Sequence, residues 1–381
     1  MSAVLVTGAS GALGPHLVAE LLCSGAHDRV FAVLRPGRRW TERLSALRGA
    51  IGALTPGQAG TVKLDRLIPI AGDVCRAGLG LCGEDLGRLS REVEVIIHAA
   101  ALTRLAAPEA DLHHSNVQGT RHVLDLARRC PQLQQFLLVS TTCVAGTATG
   151  SIAEQLNDGP RGFVNGYERT KAQAEHLAAA APLPVRIARL STCIGGDRTG
   201  YVHRFGAIHH LLHWLTRGLL PMVPAADDPR IDLIATDVGA RWLARAAGQA
   251  VDGLDVCQVA AGDRAIPLHE LLECAVGHLR ARVPGWRHGQ IEPPAIVDAD
   301  TFQLFERAVA DIGDVLLTRV LEAAGSFLPA LQYPKVYQTA RAERVWGGPL
   351  PLSDWRMTLG KVIEFGSTHH WRHRPAQARH V

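Results

Sequence analysis

Tyr167 and Lys171, in the run Asn165-Gly166-Tyr167-Glu168-Arg169-Thr170-Lys171, are spaced for proton transfer. Four residues make about one helical turn, so the phenol and the ammonium leave the same face of a helix. A cation beside a phenol lowers its pKa, which suits a tyrosine that hands a proton to a carbonyl oxygen. Such a pair arises often by chance on a surface helix, and its weight comes from what precedes it. The chain opens with an apolar strand running into Thr7-Gly8-Ala9-Ser10-Gly11-Ala12-Leu13-Gly14, and a later apolar strand ends in the hydroxyl cluster Ser140-Thr141-Thr142.

These residues need a scaffold. Apolar segments at 3–7, 29–34, 67–71, 93–98, 135–140 and 185–190 read as strands, and amphipathic stretches such as 13–22, 116–129 and 167–180 read as helices between them. Strands that are apolar throughout and alternate with helices predict a doubly wound parallel sheet, an α/β Rossmann fold covered on both faces. After residue 190 the alternation lapses into a loop and a helix over 201–217. The chain then returns through a strand at 231–235, a helix over 237–250 and a strand at 256–260. Helices dominate beyond that point, broken by Pro284, Pro293, Pro294, Pro329, Pro334, Pro349 and Pro351. The expected division is a nucleotide domain at 1–190 plus 231–262, a smaller, mostly helical substrate lobe at 191–230 plus 263–366, and a flexible basic tail at 367–381.

In the glycine run, Gly8 permits the tight turn after the first strand, Gly11 lets backbone approach a pyrophosphate and Gly14 allows the helix to pack closely on the sheet; Ser10, Ala12 and Leu13 fill the rest of that loop. The run follows a strand and opens a helix, the context a dinucleotide loop requires. About twenty residues on, where an NAD enzyme usually places an acid against the ribose hydroxyls, the chain reads Arg35-Pro36-Gly37-Arg38-Arg39. Arg35 and Arg38 would pair with a 2′-phosphate, which predicts NADP(H). His98, at the end of the fourth strand, reads as a packed residue.

Taken together, these motifs resemble the extended branch of the short-chain dehydrogenase/reductase family, and within it the fatty acyl-CoA reductases and thioester reductase domains. Gly72-Asp73-Val74 resembles the segment that meets the adenine, Ala99, Ala100 and Ala101 the small residues along which the cofactor lies, and Asn116 the asparagine of the central helix. Counting back from Gly146 puts Thr141 at the family's catalytic hydroxyl position, with Ser140 and Thr142 as alternatives. The run from Pro184 to Tyr201, with Arg189 ending a strand and Gly196-Asp197-Arg198-Thr199-Gly200 following, is similar to the subgroup. The resemblance brings Leu190, Ser191 and Cys193 to the cofactor. The run Arg230 to Val238 is similar again, with Asp237 as a helix N-cap, although Ala235-Thr236 stands where Pro-Val is usual.

The likeness spans roughly residues 1–250. It implies that Thr141, Tyr167 and Lys171 reduce an acyl thioester, carried on coenzyme A or an acyl carrier protein, to an aldehyde or alcohol, with Lys171 also holding the nicotinamide ribose. Rival readings within the family are a ketone or aldehyde reductase and a sugar-nucleotide epimerase. A dehydratase is disfavoured, because Thr142 and Cys143 stand where that group has two acids. The helix around His209 to Leu215 would line an acyl channel or simply pack on the core.

Bulk properties narrow the field. A net charge of +4 on 381 residues, with basic residues scattered, argues against a nucleic-acid binder. The longest apolar runs fall short of the roughly 18–20 residues a membrane span needs, and the N-terminus reads as a core strand, so a soluble, cytoplasmic protein is expected. Eight cysteines without a Cys-x-x-Cys pair predict reduced thiols. His209 with His213, and His369, His370 and His373, lack accompanying carboxylates or thiols, so no metal is expected. Oligomeric state stays open, a dimer being possible.

Overall fold

The computed structural model describes residues 2–57, 62–157, 159, 162–227, 229–282 and 292–371. Its centre is a seven-stranded sheet of β1 (Ala3–Thr7), β2 (Arg29–Leu34), β3 (Leu67–Ala71), β4 (Val95–His98), β5 (Gln135–Thr141), β6 (Val185–Leu190) and β7 (Leu254–Val259). All neighbours pair in parallel, in the order β7-β6-β5-β4-β1-β2-β3. The order reverses between β1 and β4, and the crevice beyond the carboxyl ends of such strands is where a doubly wound sheet binds its ligand.

Helices follow in chain order: α1 (Gly14–Ser24), α2 (Trp40–Leu54), α3 (Gly83–Glu92), α4 (Gly119–Ala127), α5 (Gly166–Ala179), α6 (Ala207–Thr216), α7 (Thr236–Ala247), α8 (Leu268–Arg282), α9 (Ala299–Ile312), α10 (Val315–Ala324), α11 (Ala340–Trp346) and α12 (Trp355–Thr368). Side-chain alternation along β1 divides the core in two. Val4 and Val6 face Leu17 and Leu21 of α1, Leu47 of α2 and Trp242 of α7, whereas Ala3 and Leu5 face Leu89 of α3, Val123 of α4 and Ala178 of α5. Burial of each such leucine contributes about 1.5–3 kcal/mol. A separate core gathers Leu211 and Leu215 of α6, Leu271 and Leu279 of α8, Phe302 of α9, Leu321 of α10 and Leu359 of α12. Helix α11 joins the first core: Ala342 packs there, and its carbonyl accepts from Trp242 Nε1 at 2.9 Å.

Four local features depart from the sequence reading. The helix expected from residue 116 begins as a π-helical segment, His113–Gln118, ahead of α4. The helix expected over 201–217 starts only at Ala207, because 201–206 form an irregular strap. Asp237 is not an N-cap: Ala235 holds that position, and the Asp237 carboxylate instead accepts from His16 Nδ1 at 2.6 Å and from Asp197 N at 2.9 Å. Residues 367 and 368, expected in the tail, belong to α12; Pro284, His373 and the rest of the tail beyond residue 371 lie outside the described residues.

Candidate active site

The glycine loop is closed by contacts that only glycine tolerates. Gly8 has φ +75°, and a Cβ there would lie 2.6 Å from the backbone of Ala99 and Ala100. A Cβ on Gly14 would run into the carbonyls of Gly8 and Ala9, and Gly11 N donates to Gly8 O at 2.8 Å. Ser10, Gly11 and Leu13 are half-buried and Ala12 is exposed along the loop's outer edge. Helix α1 starts behind it with Leu13 at the N-cap, no side-chain cap and no acid in the first turn. A backbone cradle without side chains, backed by uncapped helix N–H groups, fits a dinucleotide pyrophosphate.

A buried relay fixes the adjacent strand ends. Ala100 N donates to Thr7 Oγ1 at 3.2 Å, Thr7 Oγ1 lies 2.7 Å from His98 Nδ1, His98 Nε2 lies 3.1 Å from Thr120 Oγ1, and Thr120 donates to Asn116 O at 2.6 Å. Since the Thr120 proton goes to that carbonyl, its oxygen accepts from His98 Nε2–H, which leaves Nδ1 to accept from Thr7. The ring is therefore neutral. Burial, with Lys171 nearby, pushes His98 down to about 3, which agrees with that state. Asn116 extends the network from the π-helical segment: it exchanges hydrogen bonds with Leu102 N and O at 2.7 and 3.1 Å and donates to Thr170 Oγ1 at 3.1 Å. Asn116 thus ties the Ala99–Ala101 strand end to α5, and His98 serves packing.

At the exit of β2, Arg35 Nε sits 3.7 Å from Asp73 Oδ1, which also accepts from Cys75 N at 3.0 Å; Val74 is buried. Arg38 is exposed. Arg43, which the sequence reading missed, reaches back from α2 to donate to Arg35 O at 2.8 Å.

Helix α5 begins at Asn165, whose side chain accepts from Glu168 N at 3.0 Å, while Glu168 Oε2 accepts from Val164 N at 2.9 Å. This cap sets the first turn and with it Tyr167. Thr141, at the end of β5, is buried, and its Oγ1 accepts from Cys143 N at 3.2 Å; among the groups that act on the tyrosine phenol, its hydroxyl favours the ionised form. Of the other two hydroxyls of the cluster, Ser140 donates to Glu175 Oε1 at 2.6 Å, and Thr142 is buried. Burial, with the thiol of Cys143, raises the Tyr167 pKa above the usual phenol range, and the Thr141 hydroxyl works against that rise.

The expectation that Lys171 lowers the tyrosine is not met. Lys171 Nζ donates to Val139 O at 2.8 Å, and burial pushes the ammonium down to about 8 against an upward pull from Glu175. Glu175 itself is clamped by Arg189, with Nε at 3.0 and 3.2 Å and Nη2 at 2.7 Å, both side chains being almost wholly buried. The sequence signal for Glu175 existed: it continues the i, i+4 series from Tyr167 through Lys171.

The last three expected contacts separate. Leu190 is buried in the core, and Ser191 Oγ donates to Asp232 O at 2.7 Å. Cys193 Sγ lies 3.6 Å from Ser191 O, its thiol pushed up to about 12 by burial and by Asp237. His209 is committed to structure, accepting from Gly206 N at 2.9 Å. Among the described residues no group of three or more His, Cys, Asp or Glu could hold a metal ion, and no helix is long and apolar enough to cross a membrane.

A parallel sheet of this order, a glycine loop on its first strand and a tyrosine–lysine helix beside its fifth define an extended short-chain dehydrogenase/reductase fold. The chain belongs to the NAD-binding male sterility protein family, whose profile matches residues 6–243. It is 28% identical over 216 residues to glycine betaine reductase ATRR of Emericella nidulans, covering 55% of this chain and 17% of that one. It is 30% identical over 204 residues to isonitrile lipopeptide synthase of Streptomyces coeruleorubidus, covering 52% and 14%. The chain thus spans under a fifth of the length of either relative. The terminal R domain from the myxalamid PKS-NRPS biosynthetic pathway superposes with a TM-score of 0.76 at 22% identity, covering 97% of this chain and 91% of that one.

Proposed function

We propose that the protein is an NADPH-dependent reductase of acyl thioesters, with Thr141, Tyr167 and Lys171 as its working side chains and the second core as its substrate lobe. The observation that carries this is the seating of the tyrosine–lysine helix α5 on the strand that ends in Thr141, where Lys171 Nζ donates to Val139 O at 2.8 Å, beside a glycine cradle shaped for a dinucleotide. Bound in that cradle, NADPH supplies the hydride for the carbonyl carbon.

Tyr167 stays a neutral phenol across the physiological range, so it holds a proton ready for the oxygen on which negative charge grows. Thr141 orients that phenol and offers a second hydrogen bond; fixed donors in a buried site favour the charged transition state over the ground state. With a thioester, hydride addition and protonation from Tyr167 give a hemithioacetal. Its collapse breaks the carbon–sulfur bond and releases an aldehyde and a thiol. A second round on the aldehyde would give the alcohol.

Lys171 contributes positive charge beneath the site and a donor for the nicotinamide ribose. Arg35 supports NADPH over NADH, with Arg38 at the same exit and Arg43 buttressing the turn. Ser10, Gly11, Ala12 and Leu13 are assigned to the pyrophosphate, Asp73 and Val74 to the adenine, Ala99 to Ala101 to the cofactor's inner face, and Leu190, Ser191 and Cys193 to the nicotinamide side. The thioester assignment draws on the sequence resemblance and on the relatives from peptide and polyketide assembly, which also support a carrier protein as the delivering partner. Replacing Tyr167 with Phe should lower kcat by about 10²- to 10⁴-fold while NADPH affinity, read by fluorescence titration, is unchanged. A variant as active as the parent would refute the proton-donor role.

A further inference from the structure

His16 lies in the first turn of α1, behind the glycine loop, where the backbone N–H groups of a helix are open to an anion. Its ring is buried, and two bridges lead from it to α12, in the second core. The first is polar. His16 Nδ1 donates to Asp237 Oδ1 at 2.6 Å, and Asp237 Oδ2 accepts from Asp197 N at 2.9 Å. Asp197 in turn accepts from Ser353 Oγ at 2.8 Å on its carboxylate and from Lys361 Nζ at 2.9 Å on its carbonyl. Arg241 braces the middle, donating to Asp237 O and to Asp197 Oδ2, each at 3.3 Å.

The second bridge is aromatic. The Tyr201 ring lies 5.9 Å from the His16 ring and, edge-on, 5.5 Å from the ring of Phe365 in α12. Gly200, the residue before it, packs so closely on α12 that a Cβ would lie 2.2 Å from Lys361 O. Leu17 and Leu21 share an apolar core with Trp242 of α7, which seats the body of α1, so the two bridges bear on its first turn. Backbone donors cannot adjust as side chains do, and their hold on a pyrophosphate follows from how firmly the turn is placed.

We propose that His16 is a positioning residue for the cofactor: it fixes the first turn of α1 in the geometry that receives the pyrophosphate, and α12 acts on the cofactor through it. This rests on the dinucleotide reading of the glycine cradle above. It adds a dependence of that cradle on α12, a helix outside both nucleotide segments. An interaction lost at one end of the bridge should therefore be felt at the other.

Calorimetric titration of the full chain with NADPH, with NADH in parallel and AMP as a ligand that lacks the pyrophosphate, tests the assignment. His16→Leu should weaken the preferred dinucleotide about tenfold and Lys361→Met about threefold, while the affinity for AMP stays as in the parent. The double variant should bind no more weakly than His16→Leu, because both changes act on one turn. His16→Asn, which keeps a donor near the place of Nδ1, should fall between the parent and His16→Leu. Should His16→Leu not fold, Lys361→Met decides alone, and an unchanged dinucleotide affinity overturns the inference. Parent protein that binds neither dinucleotide would remove the reading of the cradle and this inference with it. Undiminished dinucleotide binding by His16→Leu, losses that multiply in the double variant, or losses that extend equally to AMP would overturn the inference alone.

Discussion

At the scale of single residues, burial governs the site. It raises the Tyr167 phenol and lowers the Lys171 ammonium to about 8, so both shifts run toward the neutral form, and Glu175 is the neighbour that pulls the lysine back toward its charged form. The sign is direct: the ammonium is present below about pH 8 and is lost above it. If that charge supports the reaction, kcat/KM should fall along an alkaline limb near pH 8, and Glu175→Gln should move the limb to lower pH. A pH–rate profile checks both, and a limb that Glu175→Gln leaves in place would detach the carboxylate from the lysine. Thr141, Tyr167 and Lys171 were legible as candidates because spacing and chain order mark the tyrosine and lysine and the family resemblance marks the threonine. The hydrogen bond of Arg43 to Arg35 O was not, since it depends on how separate elements pack, and no local pattern records it.

At the scale of elements, Arg189 of β6 is a buried charge held by Glu175 of α5, with Ser140 of β5 on the same carboxylate. The three elements that carry the candidate catalytic groups and their support are thereby pinned together. Arg189→Met should cost about 3–5 kcal/mol in urea unfolding because it strands a buried carboxylate, whereas Arg189→Met combined with Glu175→Leu should recover most of that loss. Equal stability of the single and double variants would contradict this account of the pair. Strand positions were legible almost to the residue, as for β1, β2, β3 and β6, because strands buried on both faces are apolar throughout. Helix starts were less so. The His113–Gln118 π segment, the late start of α6 and the role of Asp237 all answer to partners far away in sequence: Leu102 and Thr170 for Asn116, Ile194 for His209, and His16 for Asp237.

At the scale of the whole molecule, two cores meet over the carboxyl edge of the sheet. The first holds the glycine loop and α1; the second sends the strap carrying Tyr201 back across α1. On the proposed reading, shaping of the substrate site falls to the second core, where the sequence offers apolar helices and prolines but no motif that names a ligand, which is why the doubly wound fold was legible and the acyl group is not. The central claim is that hydride goes to a thioester carbonyl at the expense of NADPH. The measurement that tests it most directly is NADPH oxidation with acyl-CoA and acyl-pantetheine thioesters, run beside free ketones and UDP-sugars, with NADH as the cofactor control. The account predicts thioester-dependent oxidation of NADPH with release of free thiol and aldehyde or alcohol. Turnover confined to ketones or sugar nucleotides, or an equal rate with NADH, would contradict it.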